Sequence, residues 1–218
     1  MQKFVDIVTS LMCPPVLKRN PASWLKDPAL IEMYTGTEGA HNSPDPVECW
    51  MLYNLAKLAP NNVLEIGSWR GRSSAFLAKG IKDSKDAHEN KERRLACLDW
   101  FIGDKTGGSS PDKFIMLKSL IKFDVNTLVD VYDQNMLEFD FAGKTQNVDL
   151  VFYDADHNTE PTKAVLNTIH PVLNPGCIVT MHDANWDMTR RAIYDLSEKY
   201  KHIGTLNVWE GFAILVKI

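Results

Sequence analysis

Residues Asn62-Val63-Leu64-Glu65-Ile66-Gly67-Ser68-Trp69-Arg70-Gly71-Arg72-Ser73 are the most informative run in the chain. The first six form a short apolar stretch that ends at a glycine, the pattern of a strand covered on both faces of a parallel sheet. Two glycines in GxxxG spacing follow, and then SSAFLAKG (73–80), which reads as a helix stopped by Gly80. Glycines between a strand and a helix let the backbone turn sharply and let a ligand approach it closely. A dinucleotide turn would be GxGxxG and would cradle a pyrophosphate on the helix N-terminus. Here the spacing differs, and Glu65 stands two residues before the first glycine. A carboxylate at that place repels a pyrophosphate and suits a ligand with positive charge.

Outward from this run the chain keeps alternating between strand and helix patterns. Strands are expected at 95–101, 128–133, 148–156 and 177–183, the last entered through Pro175-Gly176. Helix faces are marked by Phe114, Leu117 and Ile121, by Val165, Ile169, Val172 and Leu173, and by Met188, Ala192 and Leu196. Residues 202–208 and 211–218 predict a closing antiparallel hairpin across Trp209-Glu210. Upstream, Val47, Met51, Leu55 and Leu58 define a helix bounded by Pro44, Pro46 and Pro60. The sum is an α/β fold, a doubly wound, mostly parallel, seven-stranded sheet. Residues 46–218 form that domain, and 1–45 a helical extension or cap with one or two short helices. Residues 80–94 hold nine charged side chains in fifteen and read as a solvated connection, and 103–112 as a flexible loop, with 105–110 a candidate lid.

Composition bounds the function. The 218 residues are 44% hydrophobic and 24% charged, ordinary values for a globular domain. Formal charge is −4, from 24 basic against 28 acidic residues, which argues against a protein that grips nucleic-acid backbones. The four cysteines are scattered, with no CxxC, so neither a zinc site nor a disulfide framework is expected and a reducing cytoplasm is. No signal peptide and no membrane span are expected either, and no membrane partner.

Ligands in such sheets bind at the carboxyl ends of the strands, where strand order reverses. Those ends carry Gly67-Ser68-Trp69-Arg70-Gly71, Asp99-Trp100, Gln134-Asn135, Asp154-Ala155-Asp156-His157 and His182-Asp183. Asp99 is placed to take the two hydroxyls of a ribose. A nucleoside carrying cationic groups, rather than phosphates, fits Glu65 and Asp99 together. Blander roles stand beside these: Asp156 or Asn158 as a helix cap, Asn135 as a turn residue, His41, His88, His170 and His202 as surface or structural groups. Trp186 and Trp209 are either core or the wall of a substrate pocket.

The runs VLEIGSWRGRS, LACLDW, VDLVFYDADH and PGCIVTMHD resemble the class I S-adenosylmethionine-dependent methyltransferases. Within them the chain is similar to the small-molecule O-methyltransferase branch that includes catechol and macrocin O-methyltransferase-like enzymes, over about residues 45–218. The resemblance implies methylation of a small-molecule hydroxyl with S-adenosylmethionine as cofactor. It places Gly67, Ser68, Trp69 and Gly71 against the methionine part, Glu65 toward its ammonium and Ser73 beside its carboxylate. Asp99 would hold the ribose, Trp100 flank the adenine, and Asn135 stand where many relatives place an acid near the adenine amino group. Asp154 would face the reacting methyl or a metal.

Two chemistries stay open at the reacting end. Metal-assisted relatives bind a divalent cation after the fourth and fifth strands, here Asp154, His182 and Asp183. Mg²⁺ prefers all-oxygen ligands, so His182 departs from that pattern and another divalent cation is an alternative. In a metal-free enzyme His157 or His182 would take the acceptor proton, oriented by Asp154 or Asp183. Two other functions compete with methyl transfer. Asp154-Ala155-Asp156 is a DxD that would serve a metal-dependent glycosyltransferase, and a cofactor-binding module without activity would keep the same cofactor loop. Neither the acceptor nor the oligomeric state, a homo-oligomer included, is legible.

Overall fold

The structure, a computed structural model, describes residues 26–39, 43–84, 92–102, 110–208 and 210–218. One sheet is built from β1 (Asn62–Ile66), β2 (Leu95–Asp99), β3 (Val129–Asp133), β4 (Val148–Tyr153), β5 (Leu173–Met181), β6 (Tyr200–Leu206) and β7 (Phe212–Lys217). Their order is β3-β2-β1-β4-β5-β7-β6. The first five strands run parallel, and β7 lies antiparallel between β5 and β6 as the predicted hairpin. The helices are α1 (Pro28–Gly36), α2 (Pro46–Leu58), α3 (Arg72–Asp83), α4 (Lys113–Lys122), the short α5 (Phe141–Lys144), α6 (Thr159–Ile169) and α7 (Asp187–Asp195). Among the described residues no helix is long and apolar enough to cross a membrane.

The sheet is covered on both faces, which is why its central strands are apolar at most positions. All six residues of β4 are buried. Leu150 and Phe152 join Val63, Leu52, Leu55 and Phe76 in the core under α2 and α3. Val151 and Tyr153 point the other way, to Leu64, Ile66, Val165 and Ile169 beneath α6. Asp149, buried in the same strand, is matched by the side-chain amides of Asn61 and Asn174 at 2.6 and 2.8 Å. A buried acid is tolerable where donors replace its water.

Several elements differ from the sequence expectation, each for a physical reason. In the N-terminal segment, Pro28 opens α1 at its first turn, after an Asp27 cap. Strand β2 ends at Asp99 and not at residue 101, and β4 ends at Tyr153, leaving its acids in the loop. Helix α3 runs past Gly80 to Asp83. Gly80 is there because a Cβ would stand 2.3 Å from the Tyr53 carbonyl oxygen of α2. On α4 the stripe facing inward is Met116, Ser119 and Leu120, while Phe114 and Ile121 are exposed. On α7 Ala192 and Leu196 are buried as expected, but Met188 is exposed and Ile193 buried. Strand β5 starts at Leu173, with Pro175 and Gly176 inside it. Its ladder to β4 jumps from Val148↔Leu173 to Leu150↔Ile178, and that irregularity absorbs the proline. Within the charged connection, Arg93 is buried and not solvated. Its guanidinium donates to the carbonyls of Ala56, Ala59 and Ile81, closing the C-terminal ends of α2 and α3. Residues 103–109, which hold most of the expected lid, lie outside the described residues, as do His41, His88 and Trp209.

The α2–α3 contact makes a prediction whose sign opposes helix propensity. Alanine favours a helix over glycine by about 1 kcal/mol, but overpacking costs about 1–3 kcal/mol. Gly80→Ala should therefore lower the urea midpoint with an unchanged m-value, the net loss being about 1 kcal/mol.

Candidate active site

From β1 the chain crosses to β2 and β3, then returns to place β4 on the other side of β1. The carboxyl ends of β1 and β4 therefore meet at the switch point of the sheet. Gly67 has φ +94°, and a Cβ on it would lie 2.0 Å from the Asp154 carbonyl oxygen. The Asp154 N–H in turn donates to Ile66 O at 2.8 Å. Gly71, at φ +87°, starts α3 and rests on Met116, whose Cγ a Cβ would meet at 2.7 Å.

Two acids hold the loop between these glycines. Glu65 is fully buried beneath it, its Oε2 accepting from the hydroxyls of Ser68 and Ser74 at 2.7 and 2.5 Å. Burial raises its pKa, and those hydroxyl bonds pull the other way. Asp99 accepts the N–H groups of Ser68 and Trp69 at 2.8 Å on one oxygen and that of Phe101 at 2.7 Å on the other. Burial pushes its carboxyl up against these bonds. Trp100 beside it is half exposed. Asn135 caps its own turn, accepting from Leu137 N at 3.0 Å.

On the far side of Gly67, the structure brings three predicted residues together. One ligand atom each of Asp154, His182 and Asp183 lie within 4.8 Å of one another. His182 Nδ1 is 3.0 Å from Asp183 Oδ1 and 3.3 Å from Asp154 Oδ1, yet makes no hydrogen bond. Burial opposes its imidazolium, and the carboxylates of Asp154, Asp183 and Glu48 outweigh burial and raise its pKa. Asp183 sits at φ +52°, a left-handed conformation that Asp tolerates. Its second oxygen is 3.0 Å from His157 Nε2. Burial raises the Asp183 pKa, but the two imidazoles more than reverse this and hold it below the usual range. The His157 ring packs edge-on against Trp186 at 5.1 Å, so Trp186 does border the site. Asp156 is not part of the cluster: it turns back to accept from Asn158 N and Nδ2 at 2.8 and 2.7 Å. The DxD is thus no converging pair.

Three members of the site were not expected from the sequence. Ser43 Oγ lies 2.7 Å from His182 Nε2, and Glu48 Oε1 lies 3.4 Å from it. Glu48 is legible only as the partner of Asp45 in the capping box of α2, where its other oxygen accepts from Asp45 N. The third is Arg72, at the start of α3, which is buried and lies with its guanidinium 4.4 Å over the Tyr34 ring. Arg72, Ser73, Gly67, Ser68 and Asp154 line one cleft, closed from above by Glu38, Gly39, Ser43 and Pro44. Its free space is about 20 Å³, the room of a single water.

A family model described as a methyltransferase domain matches residues 64–184, more than half of the chain. No curated protein matches significantly. Among solved structures, the chain is similar to the O-methyltransferase from Bacillus cereus in complex with S-adenosylhomocysteine. The identity is 19% over 99% of this chain and 97% of that one, with a TM-score of 0.61. It is also similar to TomG from Streptomyces achromogenes, an O-methyltransferase involved in tomaymycin synthesis and solved with S-adenosylmethionine (19% identity, 99% and 96% covered, TM-score 0.59). A third is the S-adenosylhomocysteine-bound methyltransferase PaMTH1 of Podospora anserina (14% identity, 88% and 88% covered, TM-score 0.65). At these identities the structures speak for the fold, while the family match spans β1 to the end of β5 and so includes every strand end of the site. This chain belongs to the methyltransferase-domain family and is an S-adenosylmethionine-dependent methyltransferase.

Proposed function

We propose that this enzyme methylates an oxygen of a small-molecule acceptor at the cluster of Asp154, His182 and Asp183, with a divalent cation held there. The observation that carries the placement is His182 Nδ1, a buried nitrogen without a hydrogen bond, facing two carboxylate oxygens. Convergent donors of this kind fit a cation, and two oxygens with one imidazole suit Mn²⁺ or Zn²⁺ better than Mg²⁺. Bound there, a cation supplies Lewis acidity that favours the acceptor alkoxide. Ser43 and Glu48 sit at Nε2, where they fix the tautomer that leaves Nδ1 free as a ligand. His157 holds the second oxygen of Asp183 and thereby its orientation. A metal-free reading is favoured by the same His157–Asp183 pair, in which His157 takes the acceptor proton.

The cofactor supplies an electrophilic methyl on a sulfonium sulfur. An acceptor oxygen forms a bond to that carbon, the carbon–sulfur bond breaks, and S-adenosylhomocysteine and one proton are released. The chain's own task is alignment, which accounts for much of the rate in such displacements. Gly67 and Gly71 seat the loop on the Asp154 backbone and Met116, and the loop so placed faces the methionine part, with Ser68, Trp69 and Ser73 around it. Glu65 acts from below, through the hydroxyls that it orders. Asp99 shapes the loop through three N–H groups and keeps a lone pair on Oδ1 for the ribose. Trp100 and Asn135 border the adenine.

Residues 46–218 form the catalytic domain, and the segment before them caps it. The Glu38–Gly71 bridge supports that division. Admitting the amino-acid tail requires residues 37–39 and 43–44 to move outward. The ion pair resisting this, Arg70–Glu38, is half exposed and so worth only about 0–1 kcal/mol. The net charge of −4 supports a small-molecule acceptor over nucleic acid. Three buried free thiols, Cys49, Cys97 and Cys177, support a reducing cytoplasm.

Calorimetry tests the reading. The wild type should bind S-adenosylhomocysteine, and no heat at millimolar ligand refutes the cofactor. Asp99→Ala should weaken that binding more than tenfold, about 1.4 kcal/mol, and lower the melting temperature, because it leaves three N–H groups without an acceptor. For the metal, the wild type should bind Mn²⁺ and Asp154→Asn or His182→Ala should lose it. Full turnover after EDTA would transfer the proton step to His157.

A further inference from the structure

We infer that Arg72 is the receptor for the carboxylate of the cofactor's amino-acid tail, an inference that rests on the S-adenosylmethionine reading above. Arg72 is only 8% exposed, and its Nη2 donates to Thr37 O at 3.1 Å. Its Nε and Nη1 are buried and make no hydrogen bond, and among the described residues no carboxylate forms an ion pair with it. A buried cation held by one carbonyl and one aromatic face is an incomplete arrangement, since buried charges are normally paired. The missing partner is an anion.

The position says which anion. Arg72 is the first residue of the twelve-residue α3, and the cap before it is Gly71, which has no side chain to offer the first N–H groups. Partial positive charge at a helix N-terminus adds to the guanidinium. Arg72 lines the cleft together with Gly67, Ser73 and Asp154, so the cation and the reacting end face one ligand. Nη1 lies by Gly39, where a Cβ would come within 3.1 Å of it and 1.8 Å of the Ser43 carbonyl oxygen, so glycine is what lets this segment lie so close to the guanidinium. The ring of Tyr34 fixes the guanidinium from behind. The amino-acid tail of the cofactor carries the only carboxylate of that molecule. Thr37 and Tyr34 thus reach the cofactor through Arg72, which makes the segment before residue 46 part of the binding site.

The test compares three ligands by calorimetry: S-adenosylhomocysteine, its decarboxylated analogue, and 5′-methylthioadenosine, which lacks the whole tail. The wild type should prefer S-adenosylhomocysteine to the decarboxylated analogue by about 30-fold or more, the range for removing one partner of a buried charge pair. In Arg72→Gln that preference should collapse to within about threefold, with the affinity for 5′-methylthioadenosine unchanged. Arg72→Met, which keeps the buried stem, is the second variant should the first fail to fold, and Arg72→Lys should restore part of the preference. If the variants weaken all three ligands alike, Arg72 is a structural pin and the inference is overturned. A preference that survives in Arg72→Gln overturns it too. A wild type that binds no S-adenosylhomocysteine overturns the cofactor reading itself, a result distinct from either.

Discussion

The site depends on one close approach, the backbone of Gly67 against the backbone of Asp154. The Asp154 N–H donates to Ile66 O, and no side chain fits between Gly67 and the Asp154 carbonyl. This contact is possible because strand order reverses between β1 and β4. It places the loop between Gly67 and Gly71 directly beside Asp154, the first acid of the cluster. Strand β5 then sets His182 and Asp183 next to that acid, through its parallel ladder to β4 and the His182 N–H donated to Tyr153 O. The sheet thereby sets three side chains, each just past the end of one of two neighbouring strands, with ligand atoms within 4.8 Å of one another.

Buried charge is treated in two ways in this molecule. Asp149, Arg93 and Asp99 each find protein donors or acceptors, and their roles are internal. A second set is left incomplete. Of the eight buried side-chain atoms without a hydrogen-bond partner among the described residues, six belong to Glu48, Glu65, Trp69, Arg72 and His182, all at or beside the switch point. Only His170 Nε2 and Thr189 Oγ1 lie elsewhere. An unsatisfied buried polar group costs about 1–3 kcal/mol, so such a concentration marks where the fold gives up stability to something else.

Much of this was legible in the sequence. The apolar runs of β1, β4 and β5 are buried on both faces, and no alternation blurs them; the acids and histidines that close them then fall at the carboxyl edge by geometry alone. Orientation was not legible. Glu65 reads as a group that meets the ligand, but it sits below the loop, because the period of a strand does not tell which face opens on the cleft. The stripe of α4 was misassigned for a similar reason: Phe114, Leu117 and Ile121 and the neighbouring Met116 and Leu120 are both valid helical spacings, and only the seat of Met116 under Gly71 decides between them. No motif assigns Ser43, Glu48 or Arg72 to the site. Glu48 already has a local explanation as a helix cap, and a residue with one sufficient role gives no hint of a second.

The incomplete set also has a direction. His182 Nδ1 faces two carboxylates, a place for positive charge, whereas Arg72 offers N–H groups, a place for negative charge. Arg72 lines the narrow cleft with Gly67 and Asp154, and His182 Nδ1 lies 3.3 Å from Asp154 Oδ1. A ligand that is uniformly charged would satisfy one end and be repelled at the other. A zwitterionic tail that leads to a sulfonium would satisfy Arg72 with its carboxylate and keep its cationic sulfur near Asp154, as proposed above. Binding energy drawn from both ends would offset the outward movement of residues 37–39 and 43–44 that entry of the tail requires, since a ligand stabilises the arrangement it binds in proportion to its affinity. The groups left without partners in the fold are thus the ones that a ligand of mixed charge would satisfy.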